Sequence, residues 1–303
     1  MLPYRSFVVW GIGLVVVLGS FMGFTLFGWG SGNVNNCIPA ELMKLPAPKA
    51  NASVAVRNKY QDKVIDGSTC YCEAFWPPDV ESGATGVRQS SNTWFNLYAV
   101  FTSFLVATIV FVDRQRGTVS NPIGASDLVP DLWVFVVQFL GLGSMWFHGS
   151  LKSWGGVFDL LSMFAFASFL IFYSVRRFWD SDLFFWLGYV LTVTLFTILG
   201  SVIQGEYVSL VLILILVAAY LSVEIYIWVH TKQWALGTLL TQFLWIAAVV
   251  CILTATVFWK LSQTGGPLCN PYSAFQPHGI LWHPLAGAMA LFLYFYWRQD
   301  TGQ

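Results

Sequence analysis

The chain has 303 residues, of which 56% are hydrophobic and only 10% are charged, against about 25% charged residues in a typical soluble protein. Its fifteen basic and fifteen acidic residues cancel, so no excess of positive charge indicates nucleic-acid binding. With a mean hydropathy of +0.64, this composition excludes a large soluble domain and predicts an all-α, polytopic membrane protein.

The first predicted element is an apolar run near the N-terminus. Residues 7–29 carry no charge, follow Arg5 and are long enough to span a bilayer. The run is longer than the hydrophobic region of a usual signal peptide, and no small-residue cleavage motif follows it. We therefore expect residues 1–29 to form a retained transmembrane helix rather than a cleaved signal.

The long polar stretch of the chain comes next and precedes the remaining apolar runs. Residues 30–92 show no strong period, so we expect an extracytoplasmic segment with short helical pieces. A seven-helix membrane core is predicted within residues 93–303. Its apolar runs are 93–112, 128–149, 155–175, 183–203, 207–229, 234–258 and 279–297.

The distribution of basic residues predicts the orientation of these eight helices. Short cytoplasmic loops carry an excess of Lys and Arg, whereas long loops are exempt from this rule. The short loops on the opposite side from the N-terminus hold only Lys152 and Lys260. We therefore predict that both termini are cytosolic. The basic residues on the N-terminal side are Arg5, Arg114, Arg116, Arg176, Arg177, Lys232 and Arg298.

This topology brings five polar residues from three helices to the extracytoplasmic face: Ser144, His148, Asp159, His278 and His283. Ser144 and His148 are four residues apart and share one face of a helix. Asp159 is expected in the first turn or so of the next helix. Ionisable groups are costly within a membrane, so such a cluster indicates a functional site.

Three histidines beside a carboxylate and a hydroxyl match a catalytic zinc site. Such sites take three protein ligands and leave a fourth position for water. Zinc lowers the pKa of that water to about 7, which makes hydroxide available as a nucleophile. We expect His148, His278 and His283 to be the ligands, Asp159 the general base and Ser144 a donor to the oxyanion. A single buried histidine is more often a helix-packing partner, so only all three histidines together indicate a metal site.

The spacing of the last two histidines is unusual for a shared metal ion. His278 and His283 are five residues apart, which separates them by about 140° around an ideal α-helix. Pro277 and Pro284 flank the pair, and a π-helical turn would bring residues five apart onto one face. We therefore expect a turn at 276–284 that departs from the α-helix.

The arrangement resembles the alkaline ceramidase family, within a superfamily that includes adiponectin-type receptors and GPI-lipid remodelling proteins. The resemblance covers about residues 68–297 and is similar to bacterial-type members. The matching features are Ser144-x-x-x-His148 with Asp159 eleven residues later, Trp282-His283-Pro284, Cys72-Glu73, the helix start Asn92–Asn96, and Cys269–Gln276. The late histidine pair is one residue wider than the family pattern.

The resemblance implies a seven-helix core that holds zinc through three histidines and hydrolyses ceramide, a membrane lipid, to a sphingoid base and a fatty acid. It also implies a disulfide between Cys72 and Cys269, which leaves Cys37 and Cys70 as a second pair. Animal members bind Ca²⁺ near the first core helix. Glu73 matches one position of that calcium site, whereas Gln89 and Cys70 stand where carboxylates are expected, so the sequence supplies only part of the site.

Two other functions are consistent with the same motif. The first is a related membrane-lipid ester hydrolase, such as a GPI-lipid remodelling enzyme. The second is a receptor-like protein in which zinc is structural, which would bind lipid without turnover. A transporter is disfavoured, because no pair of broken helices occupies equivalent positions in two halves of the chain.

Overall fold

The computed structural model describes residues 3–30, 33–46, 48–49, 51–69, 71–75, 77–117, 121, 123, 128–203, 208–231 and 239–299. Within these ranges the protein is built from helices, turns and loops, with an isolated β-bridge between Val34 and Lys152. Eight of the described helices are long and apolar enough to cross a membrane. The prediction of an all-α, polytopic helix bundle is therefore confirmed.

The helices follow the predicted apolar runs closely. Each of the eight long helices overlaps one run, and the polar stretch contributes three short helices. In chain order they are α1 (Arg5–Phe27), α2 (Ala40–Met43), α3 (Val54–Gly67), α4 (Pro77–Ser82), α5 (Ser90–Arg116), α6 (Val129–Ser150), α7 (Ser153–Arg176), α8 (Asp182–Val202), α9 (Val208–His230), α10 (Leu239–Leu261) and α11 (His278–Arg298).

The helix α6 lies at the centre of the bundle. Its most apolar stretch is 72% buried by the rest of the protein, compared with 17% for each of α8, α9 and α10. The neighbouring α5 approaches it at Gly141, where a Cβ atom would lie 2.5 Å from the carbonyl oxygen of Asn96. This close approach requires glycine, and it sets Asn96 against the central helix.

Charged side chains join several helices at one end of the bundle. Arg5 of α1 and Arg114 of α5 both bind the buried carboxylate of Asp131, the latter at 2.9 Å. Arg298 at the end of α11 binds Asp113 of α5 at 2.6 Å. Because buried charges are stable only when paired, these contacts tie α1, α5, α6 and α11 together. On α6 and α11, which carry the predicted zinc ligands, these ion pairs lie at the opposite end of the helix from the histidines.

A second buried ion pair gives Glu224 a role that the sequence analysis did not assign. This fully buried carboxylate on α9 is 2.8 Å from Arg177. It also accepts hydrogen bonds from Ser174 at 2.5 Å and from Tyr296 at 2.9 Å. With hydrogen bonds from these three residues, Glu224 links α9 to α7, to α11 and to the residue that follows α7.

The polar stretch folds over the other end of α6. Apolar side chains on and around α2, α3 and α4, namely Ile38, Leu42, Tyr60, Val64, Phe75 and Val80, form a cluster with Phe147 and Leu151. We call this segment, residues 33–89, the cap. The expectation of short helical pieces in this stretch is confirmed.

A disulfide fixes the cap to the bundle. Cys72 is joined to Cys269, just before α11, which is the pair that the resemblance implies. Cys37 is also disulfide-bonded, but its predicted partner Cys70 lies outside the described residues. Lys232, one of the basic residues that predict the orientation of the helices, lies outside them too. Among the described cysteines only Cys251 is free.

Asp159 lies in the second turn of α7, close to the predicted position, because that helix begins at Ser153, two residues before the predicted run. Gly155 and Gly156 lie inside the helix, where they allow close packing on the end of α6 and on Asn35 of the cap, respectively. The orientation of the bundle in the membrane stays a prediction.

Candidate metal centre

His148 sits near the end of α6, is only 1% exposed and is oriented by Gln89. The ring nitrogen Nδ1 lies 2.7 Å from Gln89 Oε1. The other end of the Gln89 amide, Nε2, donates to the backbone carbonyl of Glu73 at 3.3 Å. Because that carbonyl can only accept, Oε1 must face the imidazole, and Nδ1 must carry the proton. The Nε2 atom of His148 is therefore left with a free lone pair.

His283, at the start of the α-helical part of α11, is also oriented by a side-chain amide. Its Nδ1 is hydrogen-bonded to Asn96 Oδ1, while Asn96 Nδ2 donates to the carbonyl of Asn92 at 2.8 Å. Asn96 Oδ1 therefore accepts a hydrogen bond from the protonated Nδ1 of His283. The Nε2 atom of His283 is buried and has no hydrogen-bond partner among the described residues.

His278 reaches the same place through an irregular turn. Residues His278–Trp282 form a π-helix, which brings the ring centroids of His278 and His283 to 4.8 Å from each other. His278 is 3% exposed, and its Nδ1 atom is buried without a hydrogen-bond partner in the described part of the chain. The prediction of a non-α turn at 276–284 is confirmed.

Together the three histidines form a group that could hold a metal ion. One ligand nitrogen from each lies within 4.8 Å of the others. Buried imidazoles that keep a lone pair are normally satisfied by a hydrogen bond or a metal, and these nitrogens face one another. Three neutral imidazoles suit zinc, copper, iron or nickel. Within the described ranges, no other group of three His, Cys, Asp or Glu residues is arranged in this way.

Ser144 and Asp159 lie beside this centre without joining the ligand group. Ser144 is buried one turn before His148 on α6, and its hydroxyl is within hydrogen-bonding reach of the Asp159 carboxylate. That carboxylate is close enough to interact electrostatically with the phenols of Tyr71 and Tyr98. Both phenol rings contact zinc-ligand candidates, so a carboxylate and a hydroxyl are available next to the histidines.

Tyr71 of the cap is the third neighbour of the centre. Its ring centroid lies 4.1 Å from that of His278 and 5.1 Å from that of His148, and Trp259 donates a hydrogen bond to its hydroxyl at 3.3 Å. Burial, and then the negative charge of Asp159, raises the pKa of the Tyr71 phenol. The phenol is therefore neutral at physiological pH.

Sequence analysis missed three contributors to the centre. Gln89 was considered only as a calcium position, Asn96 only as part of a motif, and Tyr71 not at all. The orienting amides lie 59 and 187 residues away from their histidines along the chain. No local pattern specifies such pairs. The one sequence feature that could have indicated an orienting partner was the amide of Asn96, which lies just after a predicted helix start.

Glu73, the expected calcium residue, has a capping role in the structure. Its carboxylate accepts hydrogen bonds from the backbone N–H groups of Ser91 at 2.6 Å and Asn92 at 2.9 Å. Burial raises the pKa of Glu73, and these two N–H groups oppose that rise. A carboxylate at this position satisfies donors that the first turn of α5 would otherwise leave free. Calcium binding stays a prediction.

Comparison with known proteins adds no further evidence on function. No protein-family model matches the chain, and no curated protein matches it. The features that bear on function are the three histidines, their orienting amides and the neighbouring Ser144 and Asp159.

Proposed function

We propose that this protein is a zinc-dependent intramembrane hydrolase of ceramidase type, which cleaves the amide bond of ceramide to a sphingoid base and a free fatty acid. The observation that carries the proposal is the group of three buried histidines within 4.8 Å, two of them fixed with Nδ1 protonated. A carboxylate and a hydroxyl beside them supply the remaining groups that amide hydrolysis needs.

The histidines and their amide partners would hold the metal. His148 and His283 would bind through Nε2, since Gln89 and Asn96 occupy Nδ1. His278 would be the third ligand. When bound, zinc would supply a Lewis acid that makes water nucleophilic at neutral pH. The residues around it would orient the amide and move protons.

Asp159 and Ser144 would perform the proton transfer and charge stabilisation. Asp159 would accept the proton of the attacking water and then deliver it to the nitrogen of the leaving sphingoid base. Ser144, one turn from His148, would donate a hydrogen bond to the carbonyl oxygen as negative charge develops there. The Ser144 hydroxyl interacts with the Asp159 carboxylate, so the two groups could act on the same bound amide.

The position of the centre favours a lipid substrate. Val157 and Phe158, immediately before Asp159, are 39% and 40% exposed on the outside of the bundle, where acyl chains would surround them. A two-chain lipid would enter sideways from the outer leaflet, with its chains against the apolar helix faces. Its polar amide would then reach the buried histidines at the helix ends.

The first test measures metal content and hydrolysis together on the purified protein. Wild type is expected to contain about one zinc per chain and to release fatty acid from ceramide. His148→Ala should lose both properties. The matched control is His230→Ala, because His230 is exposed at the end of α9 and away from the centre. Asp159→Asn should keep zinc and lose at least about 100-fold in rate, as expected for a general base.

Other results would redirect the proposal. Zinc binding with turnover of phospholipid but not ceramide would make the protein an ester hydrolase. Zinc binding without turnover of any lipid would support a receptor-like protein with structural zinc. If wild type and His148→Ala both lack metal, the histidine group is a packing arrangement and the proposed chemistry is wrong.

A further inference from the structure

The three candidate ligands are not held in the same way. His148 and His283 each have an amide that fixes the ring by a hydrogen bond. His278 has no such bond at Nδ1 among the described residues. A metal site with one unfixed ligand would lose affinity, because partners outside the ligand set normally orient each histidine.

Aromatic rings take the place of an amide at His278. The Tyr71 ring lies 4.1 Å away and is tilted by only 31°, and the Trp282 ring lies 6.3 Å away at 18°. The shorter contact is with Tyr71, which belongs to the cap rather than to the helix that carries His278. We infer that Tyr71 is the positioning residue for His278 and that it sets the affinity of the metal centre.

The backbone of Tyr71 indicates that its placement is imposed. With a φ of 65°, it is one of two described residues other than glycine in the left-handed region, which bulky side chains rarely adopt. Such a conformation persists only where the surroundings enforce it, and it is found mostly at functional sites. A loop whose only task was to connect two elements would be expected to place glycine here.

Two anchors enforce this placement. The next residue, Cys72, is disulfide-bonded to Cys269 in the segment that leads into α11. The phenol oxygen accepts a hydrogen bond from Trp259 on α10. The disulfide therefore connects the residue after Tyr71 with the chain that runs into His278, and the ring and its target are held by the same link. It follows that metal affinity depends on the disulfide.

This inference rests on the metal-binding part of the proposed function and is independent of the lipid substrate. The experiment determines the zinc dissociation constant by competition with a chromophoric chelator, using the purified full-length protein. Tyr71→Leu is expected to weaken zinc binding about 10- to 100-fold, the usual effect of removing an orienting partner. Tyr71→Phe keeps the ring and the neighbouring disulfide and loses only the hydrogen bond from Trp259, so its zinc affinity should stay much closer to wild type than that of Tyr71→Leu.

The matched control is Tyr60→Leu. Tyr60 is a buried member of the same apolar cluster in the cap, so this change removes a comparable ring without touching a histidine. Its zinc affinity should be unchanged. The absorption spectrum of bound Co²⁺ provides a second readout. The spectrum should change in Tyr71→Leu, where one imidazole is displaced, and stay the same in Tyr60→Leu.

The disulfide is tested by Cys72→Ser combined with Cys269→Ser. This variant should weaken zinc binding by no more than Tyr71→Leu does, because the hydrogen bond from Trp259 remains, and combining it with Tyr71→Leu should give the affinity of Tyr71→Leu alone. Equal zinc affinity in wild type and Tyr71→Leu would overturn the inference and leave the proposed function intact. An equal loss in Tyr60→Leu would also overturn it, because the effect would then come from the cap as a whole. Absence of metal in wild type would overturn both.

Discussion

Two side-chain amides decide the chemistry of the histidines at the scale of single residues. Gln89 and Asn96 each use their N–H₂ group on a backbone carbonyl, which leaves only an oxygen for the imidazole. A neutral imidazole can bind a metal through one nitrogen when the other carries the proton. Each amide thus selects the tautomer of a histidine as well as the direction of its ring.

The role of Gln89 can be tested by two changes. Gln89→Ala should weaken zinc binding about 10- to 100-fold, because His148 loses the acceptor that fixes its proton on Nδ1. Gln89→Glu keeps an oxygen in that place and should retain most of the affinity. Chelator competition measures both values. A result in which the two variants bind zinc equally weakly would show that the amide is needed for the cap and not for the imidazole.

The histidines themselves could be predicted from sequence, because a titratable side chain within an apolar run is costly and has few structural explanations. Their orienting partners could not. Gln89 reaches His148 only because a backbone hydrogen bond from its N–H to the His148 carbonyl brings the start of α5 against the end of α6. Such a contact depends on tertiary packing, which no local residue pattern reports. Tyr71 was missed for the same reason.

At the scale of secondary structure, the π-helix at His278–Trp282 reconciles a five-residue spacing with a shared metal ion. A π-turn takes one more residue than an α-turn. The flanking prolines contribute, since Pro284 lacks the N–H that an α-helical turn would use. The apolar runs predicted the long helices within a few residues, because membrane thickness fixes their length. The bounds of α2, α3 and α4 depend on side-chain packing in the cap and were not predicted.

The π-helix leads to a test by changing its length. Deleting Ile280 reduces the histidine spacing to four, which an ordinary α-helix places about 40° apart on one face. This variant is expected to keep about one zinc per chain. Inserting one alanine after Ile280 increases the spacing to six and should abolish zinc binding. Elemental analysis of both proteins gives the answer. Loss of zinc in the deletion variant would mean that the π geometry itself, and not the shared face, is required.

At the scale of the whole molecule, the two ends of the helix bundle differ in their charged residues, and this difference bears on how the bundle is oriented in the membrane. The described ion pairs of α1, α5, α6 and α11 lie at one end, and the histidines and the cap lie at the other. If the positive-inside rule applies, the paired end faces the cytosol. The metal centre and the disulfides would then face the extracytoplasmic side, where disulfides persist.

Reporter fusions measure this orientation directly. A green fluorescent protein fused after Gln303 should fluoresce, and alkaline phosphatase at the same position should be inactive, because the C-terminus is expected in the cytosol. Phosphatase fused after Lys152, in the short loop between α6 and α7, should be active. The reverse pattern would place the histidines and the disulfides on the cytosolic side, where disulfides are rare.

The central position of α6 also bears on how the protein is made. This helix is among the least hydropathic of the long helices and carries Asp131 and Gln138, which a bilayer would not accept readily. Its partners are synthesised earlier: Arg5 binds Asp131, and the carbonyl of Trp10 accepts a hydrogen bond from Gln138. Because α1 precedes α6 in the chain, we expect these partners to be available when α6 enters the membrane and to lower the cost of burying Asp131 and Gln138 there.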